Sequence, residues 1–126
     1  MHTPIAIVAG ISCLVEKTVI VEYTRYKIDE KRRTLFERVY EKAGEALSSS
    51  SHCLRYELSR CTENPEHYTL RIEWDSEEGH LMGFRTSPEF KVFFALVQPY
   101  VKDIEEMRDY KVIAAGEKSK SAPSHS

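Results

Sequence analysis

The sequence is poor in cysteine and has none of the short motifs that mark common cofactor and nucleophile sites. Its three cysteines, Cys13, Cys53 and Cys61, form neither a CxxC pair nor an even disulfide set. Cys53 and Cys61 fall at the two ends of one predicted strand, too far apart to bridge, so we expect reduced thiols in a cytoplasmic protein. No GxGxxG, GxxxxGKS/T, GxSxG or HExxH segment is present, so we expect no cofactor and no metal.

The chain also lacks a surplus of one charge and a long apolar run. Its formal net charge is −2 with both signs interspersed, which argues against a basic surface for nucleic acid. The apolar run at residues 5–14 is shorter than the ~20 residues that span a membrane, and no Lys or Arg precedes it as in a signal peptide. We interpret this run as an extra edge strand or a flexible extension.

The composition is that of one ordinary globular domain. Apolar residues make up 41% and charged residues 30% of the 126 residues, enough to bury a core without disulfides. We expect an N-terminal extension over residues 1–17 and the folded domain over residues 18–115. The polar residues 116–126 are expected to form a disordered tail.

The first half of the chain alternates between strand and helix patterns. Period-two alternation predicts a strand over residues 18–26, with Val19, Val21 and Tyr23 on one face and Ile20, Glu22 and Thr24 on the other. Asp29 is positioned to cap a helix that runs to about Leu47. Two strands, at about 53–61 and 67–74, flank a turn at Pro65 and indicate a hairpin.

Two helix starts follow Trp74, the single tryptophan. Asp75 has capping-box spacing with Glu78 and predicts a short helix over residues 76–85. The Ser-Pro pair at 87–88 predicts a second helix, because serine caps helices well and proline suits the first helical position. The corner between strand and helices is therefore well specified.

With a last strand predicted over residues 104–115, the element order favours an α+β ferredoxin-like sandwich with a four-stranded antiparallel sheet. Tyr23, Tyr56 and Trp74 are predicted on the sheet face that meets the helices. The other face is predicted to be polar and to carry Glu22, Thr24, Arg55, Glu57, Ser59, Arg71 and Glu73. That face either meets solvent or pairs with an identical face in a two-fold dimer.

Several groups of residues around Trp74 carry a resemblance to a known family. They are Tyr56, Glu57 and Leu58 in the second strand, Ile72, Glu73 and Trp74 ending the third, Ser76, Glu77 and Glu78 after it, and residues 84–90. Together with the element order, they resemble the antibiotic biosynthesis monooxygenase family of dimeric α+β barrels. Residues 79–85, 99–101 and 104–107 are also similar to a subgroup that accompanies truncated globins.

The resemblance implies a homodimer with one cavity per subunit between sheet and helices. Family members include cofactor-free monooxygenases of quinols and phenolic polyketides, and haem-degrading enzymes. Where branches of the family carry Asn or His, this chain has Tyr23, Leu70, Phe84 and Phe94. Haem binding through a histidine axial ligand is therefore not favoured, and a cavity walled by rings is expected.

His80 and Arg85 are the candidate catalytic residues. His80 would act as general base near neutral pH, and Arg85 would hold an anionic oxygen. The candidate substrate-binding residues are Trp74, Tyr23, Tyr56, Phe84 and Phe94. Each has a plainer interpretation, since these rings also suit a packed core, His80 a helix cap and Arg85 a surface ion pair.

Three functions are therefore open. The leading one is a cofactor-independent monooxygenase that oxidises a quinol-like or phenolic aromatic substrate with O₂. The alternative is a non-catalytic small-molecule-binding or interaction module on the same scaffold, with a truncated globin as a partner. A weaker alternative is haem degradation.

Overall fold

The computed structural model describes residues 18–118, which fold around one four-stranded sheet. The elements are β1 (Ile20–Lys27), α1 (Glu30–Ser48), β2 (Cys53–Arg60), β3 (His67–Trp74), a π-helical turn (Gly79–Phe84), α2 (Pro88–Val97), a 3₁₀ segment (Gln98–Asp103) and β4 (Ile104–Lys111). The predicted extension 1–17 and most of the predicted tail lie outside the described residues. No helix among residues 18–118 is long and apolar enough to cross a bilayer.

The strand order is β2-β3-β1-β4, with every neighbouring pair antiparallel. This order, with the helices packed on one face, is that of a ferredoxin-like sandwich and confirms the predicted fold class. β4 is an edge strand and ends at Lys111, four residues before the predicted end. The sheet of the single chain is open.

Two of the three predicted helix caps are confirmed. Asp29 accepts the backbone N–H of Arg32, and Ser87 accepts that of Phe90. The predicted cap at Asp75 is wrong, because the Ser76 hydroxyl accepts the Gly79 N–H at 2.8 Å instead. The Asp75 carboxylate is turned towards the imidazole of His52.

The predicted orientation of β1 is also wrong. In the register, Glu22 lies opposite Ile72, Thr24 opposite Leu70 and Tyr26 opposite Tyr68, and directly paired residues share a face. Glu22, Thr24 and Tyr26 therefore face the helices, whereas Tyr23 lies on the opposite face. The physical reason is that Tyr26 and Ile28 give this face its apolar burial, and the polar groups of Glu22 and Thr24 find hydrogen bonds inside.

The predicted positions of the cysteines agree with the fold. Cys53 begins β2, Cys61 directly follows its end, and both are free thiols. Burial raises the pKa of Cys53 to about 11, so its thiol stays protonated at neutral pH. Cys13 lies outside the described residues.

Candidate functional site

A cavity of about 160 Å³ lies between the sheet and α2. Its walls are mostly apolar and come from β1, β3, the π-helical turn, α2, the 3₁₀ segment and β4. The lining residues are Glu22, Thr24, Tyr26, Leu70, Ile72, Trp74, His80, Phe84, Arg85, Phe90, Phe93, Phe94, Val97, Val101, Ile104 and Met107. Phe94, Val101 and Met107 are more than two-fifths exposed, so the cavity reaches the surface beside β4.

The polar part of this cavity is built around the buried imidazole of His80. Its Nε2 lies 3.1 Å from Glu22 Oε1, and its Nδ1 lies 3.0 Å from Asp109 Oδ2. Glu22 is 5% exposed and His80 is 2% exposed, so both polar groups are removed from water. Both of these buried groups have hydrogen-bond partners, as burial in a low-dielectric environment requires. We call Glu22, His80 and Asp109 the carboxylate–histidine cluster.

Trp74 holds the cluster in place from one side. Its indole ring stacks on the imidazole with a centroid distance of 4.5 Å and an interplanar angle of 4°. Its Nε1–H donates to Glu22 Oε1 at 3.0 Å, and the Thr24 hydroxyl donates to Glu22 Oε2 at 3.0 Å. Both oxygens of Glu22 are therefore fixed by hydrogen bonds, which orients the carboxylate at the cavity wall.

Hydrogen-bond chemistry sets the number of protons in the cluster. A ring nitrogen and a carboxylate oxygen both carry lone pairs, so a proton must lie between them at each of the two contacts. Two bridging protons shared by two carboxyl groups and one imidazole leave one net negative charge. The cluster therefore holds a negative charge beside an apolar cavity.

The π-helical turn that carries His80 packs against a second imidazole, that of His52. The Arg85 N–H bonds to the His80 carbonyl at 3.2 Å, five residues back, which is the π-type pattern. His52 Nδ1 lies 3.0 Å from Asp75 Oδ2, and the ring lies directly against Gly79 and Gly83. A Cβ at either glycine would collide with His52, so only glycine allows this close approach.

A tyrosine pair forms a further polar contact at the cavity. The hydroxyls of Tyr26 and Tyr40 lie 2.5 Å apart, and Tyr26 lines the cavity. Burial raises the pKa of Tyr26 to about 12 and raises the pKa of Tyr40 well above its usual value. Both hydroxyls stay protonated at neutral pH, so they are hydrogen-bonding groups rather than bases.

The structure brings five of the seven predicted site residues to the cavity. Trp74, His80, Phe84, Arg85 and Phe94 line it, and the exposed Arg85 guanidinium lies 5.9 Å from the centroid of the Phe90 ring.

The other two predicted site residues lie elsewhere. Tyr23 is on the opposite sheet face, where its hydroxyl accepts from Arg71 Nε at 3.3 Å and its ring packs on Tyr110. Tyr56 faces α1 and fills the space beside Gly44, away from the cavity. The corrected orientation of β1 accounts for Tyr23, and the position of β2 at the other edge of the sheet accounts for Tyr56.

Three residues of the site were missed from the sequence. Glu22 and Thr24 were assigned to the outer face, and Asp109 was not considered. The sequence held one signal for Glu22 and Thr24. In the strand alternation they fall on the same face as Ile20, Tyr26 and Ile28, so this face is apolar at both of its ends. A buried histidine also calls for an acidic partner.

The cluster is also the one group among residues 18–118 whose ligand atoms lie close enough to hold a metal ion, within 4.8 Å of one another. The two ring nitrogens of His80 point away from each other, and each faces a different carboxylate. An ion bound to one nitrogen could therefore not take both carboxylates without a turn of the ring. The observed contacts are those of a proton-bridged cluster.

Comparison with known proteins agrees with this architecture. The sequence profile of the antibiotic biosynthesis monooxygenase family matches residues 19–96, which include β1, α1, the hairpin, the π-helical turn and nearly all of α2. The chain belongs to this family. A relative of the chain, the uncharacterised YczJ of Bacillus subtilis, is 32% identical over 65 residues, which cover 52% of this chain and 68% of YczJ.

Two solved structures of the same fold are similar. A candidate antibiotic biosynthesis monooxygenase from Bordetella bronchiseptica has a TM-score of 0.64 at 23% identity, over 77% of this chain and 99% of the other. SnoaB, a cofactor-independent oxygenase from Streptomyces nogalater, has a TM-score of 0.67 at 12% identity, over 78% of this chain and 96% of SnoaB. At these identities the matches establish a shared fold.

Proposed function

We propose that this family member is a cofactor-independent monooxygenase that oxidises a small, single-ring quinol or phenol with O₂. One observation carries the proposal: a buried carboxylate–imidazole pair, Glu22 and His80, forms a polar wall of a mostly apolar cavity. Such a wall suits the removal of a proton from a phenolic hydroxyl. The apolar remainder suits an aromatic ring.

The size of the cavity supports a one-ring substrate. A volume of about 160 Å³ is close to the ~150 Å³ of an engineered apolar cavity that binds benzene. Polycyclic phenols and haem are much larger than this. The haem-degrading alternative is further disfavoured because both nitrogens of His80, the one histidine that lines the cavity among residues 18–118, face carboxylates.

The chemistry follows from the placement of charge. Glu22, hydrogen-bonded to His80, accepts the phenolic proton and leaves an electron-rich phenolate in the cavity. The phenolate then reacts with O₂: one oxygen atom joins a ring carbon, and the other leaves with two hydrogens as water. The product of a quinol is thus the anion of a hydroxyquinone. The ring hydrogen and one hydroxyl hydrogen form the water, and the other hydroxyl proton is the one that Glu22 accepts. Arg85 at the cavity wall stabilises the anionic oxygen while charge moves to O₂.

The test is O₂ uptake by the purified chain with hydroquinone, methylhydroquinone and catechol, with the hydroxyquinone product identified by mass spectrometry. Glu22→Gln keeps the side-chain shape and one acceptor oxygen, which can still accept from Trp74 Nε1–H, but it removes the base. The turnover rate should therefore fall about 10²-fold to 10⁴-fold. Glu57→Gln, at an exposed position of β2, is the matched control and should keep the wild-type rate.

Two results would count against this proposal. Wild-type protein that binds the quinols but consumes no O₂ would favour the non-catalytic binding module. Equal rates for wild type and Glu22→Gln would refute the assigned base. No feature of residues 18–118 specifies a truncated globin partner, so the proposal does not include one.

We also propose that the chain forms a homodimer through its open sheet face. Large side chains with apolar surface are exposed towards the end of β4 and directly after it, namely Tyr110, Val112 and Ile113. Such a patch is typical of an interaction surface. Light scattering should give a mass near twice the 14.6 kDa of one chain, and a mass of a single chain would refute the dimer.

A further inference from the structure

We infer that the carboxylate–histidine cluster is a proton relay, in which a proton accepted by Glu22 at the cavity leaves through His80 and Asp109 at the protein surface. This inference rests on the proposed function, because it concerns the fate of the proton that the substrate loses. It adds two residues with distinct duties: His80 carries the proton, and Asp109 delivers it to water.

The geometry forms one continuous path. Glu22 lines the cavity on the central strand β1, and its side chain is 7% exposed. His80 bridges from it to Asp109 with N–O separations of 3.1 and 3.0 Å, both within reach for direct proton transfer. The Asp109 side chain is 25% exposed on the edge strand β4. The path therefore begins in the cavity and ends at solvent.

The other polar side chains that line the cavity cannot carry this proton. The Arg85 guanidinium has N–H donors and no acceptor atom for a proton. Burial raises the pKa of Tyr26 to about 12, so its hydroxyl already holds a proton. The Thr24 hydroxyl already uses its proton to donate a hydrogen bond to Glu22. The cluster is thus the route out of the cavity that the lining residues provide.

The transfer balances with the two bridging protons already present. In the resting form, one bridging proton is on Glu22 Oε1 and the other on His80 Nδ1. The substrate O–H bond breaks, and its proton binds Oε2 of Glu22, which accepts a hydrogen bond from Thr24 but holds no proton of its own. The Oε1 proton passes to Nε2, the Nδ1 proton passes to Asp109 Oδ2, and Asp109 releases it to water. Glu22, His80 and Asp109 each gain one proton and lose one, which leaves Glu22 protonated on Oε2 and His80 on Nε2. The resting form returns when the carboxyl group rotates and the imidazole exchanges its Nε2 proton for one on Nδ1.

The kinetic test uses Asp109→Asn in the full chain, with Glu106→Gln as the matched control on β4. Glu106 pairs with Arg25 and Arg108 and does not line the cavity. Asp109→Asn should keep quinol affinity, lower kcat by about tenfold or more, and enlarge the solvent deuterium isotope effect. Glu106→Gln should match wild type in all three measurements. An unchanged kcat in Asp109→Asn would overturn the relay.

A second variant separates a relay from a merely structural role. Asp109→Ala removes the last carrier but leaves an opening at the surface that a small carboxylic acid can enter. Added formate should restore at least half of the lost kcat, whereas equal chloride should restore none. Failure of formate to raise kcat, together with a wild-type isotope effect, would mean that Asp109 only holds His80 in place.

A third measurement does not depend on turnover. In ¹⁵N-labelled protein, NMR should show a proton at Nδ1 of His80 that exchanges slowly with water, and Asp109→Ala should speed the exchange of this proton. If wild type oxidises no quinol but shows this pattern, the proposed function fails while the proton path stands. An Nδ1 without a proton in wild type would overturn the path itself.

Discussion

The two halves of the helix–sheet interface differ sharply although they share one face of one sheet. Beneath α1 the space is filled: the Phe36 ring is fully buried and has four aromatic neighbours at centroid distances of 4.8 to 5.1 Å, namely Tyr26, Tyr40, Tyr68 and Tyr100. Beneath α2 and the π-helical turn there is a cavity of about 160 Å³ and a buried charged cluster. The first half resembles an ordinary core, and the second half resembles a site.

The contrast between the packed core and the cavity shows that one strand, β1, contributes to both. On the same face of β1, Tyr26 belongs to the filled half and Glu22 to the hollow half. A cavity and a buried carboxylate each reduce stability, and a tightly packed neighbouring core offsets that cost. We therefore expect stability to depend on the half beneath α1 and activity to depend on the half beneath α2.

The largest expected effect comes from removing one ring in each half. Phe36→Ala should lower the free energy of unfolding by about 3–5 kcal/mol, because it leaves a hole in a packed aromatic cluster. Phe94→Ala removes a ring that is already 42% exposed at the cavity mouth and should cost less than about 1 kcal/mol. Urea unfolding of both variants checks this. Equal losses would show that the two halves are packed alike.

Alkaline pH should have a smaller effect, through the tyrosine pair at the boundary of the two halves. The pKa of Tyr26 is raised from 10.0 to about 12 in the folded chain, so the unfolded chain loses its proton first. The protonated Tyr26 therefore stabilises the folded state by about 2–3 kcal/mol at pH values below 10. This contribution is lost as pH rises to about 12. Tyr26→Phe should flatten this part of the profile in urea unfolding. A flat wild-type profile would contradict the prediction.

The smallest expected effect comes from replacing one leucine by phenylalanine in each half. The change in the free energy of unfolding should have opposite signs in the two halves. Leu47→Phe, on the buried face of α1, should overpack the core and lower the free energy of unfolding by about 1–3 kcal/mol. Leu70→Phe, at the cavity, should fill free space and stabilise the chain by about 0.5–2 kcal/mol. It should also abolish quinol binding in calorimetry. A destabilised Leu70→Phe that still binds quinol would show that the cavity is not the binding site.

Most of the fold could be predicted because its signals are local. The N-caps at Asp29 and Ser87 and the apolar stripe of α1 depend on residues within a few positions of one another, and β3 was predicted with its observed bounds. The prediction of a cap at Asp75 was wrong because two neighbouring polar side chains compete at this corner. Ser76 accepts the backbone N–H of Gly79, and Asp75 contacts His52, which is distant in sequence.

The site was less predictable because its partners come from separate elements. Trp74 and His80 were identified as candidates from the sequence, and both line the cavity. Their acidic partner Glu22 was placed on the wrong face, because both phases of β1 carry apolar residues and alternation alone could not choose between them. The sheet register decided the phase.

The sequence by itself determined the order of the elements, two of the helix starts, the family and the position of the single tryptophan. These properties follow from short-range periodicity and capping, which a linear pattern contains. Only the tertiary structure decided that Glu22, His80 and Asp109 meet. β1, the π-helical turn and β4 converge there through antiparallel pairing of β1 with β4, which sets Glu22 opposite Asp109, and through the stacking of His80 on Trp74.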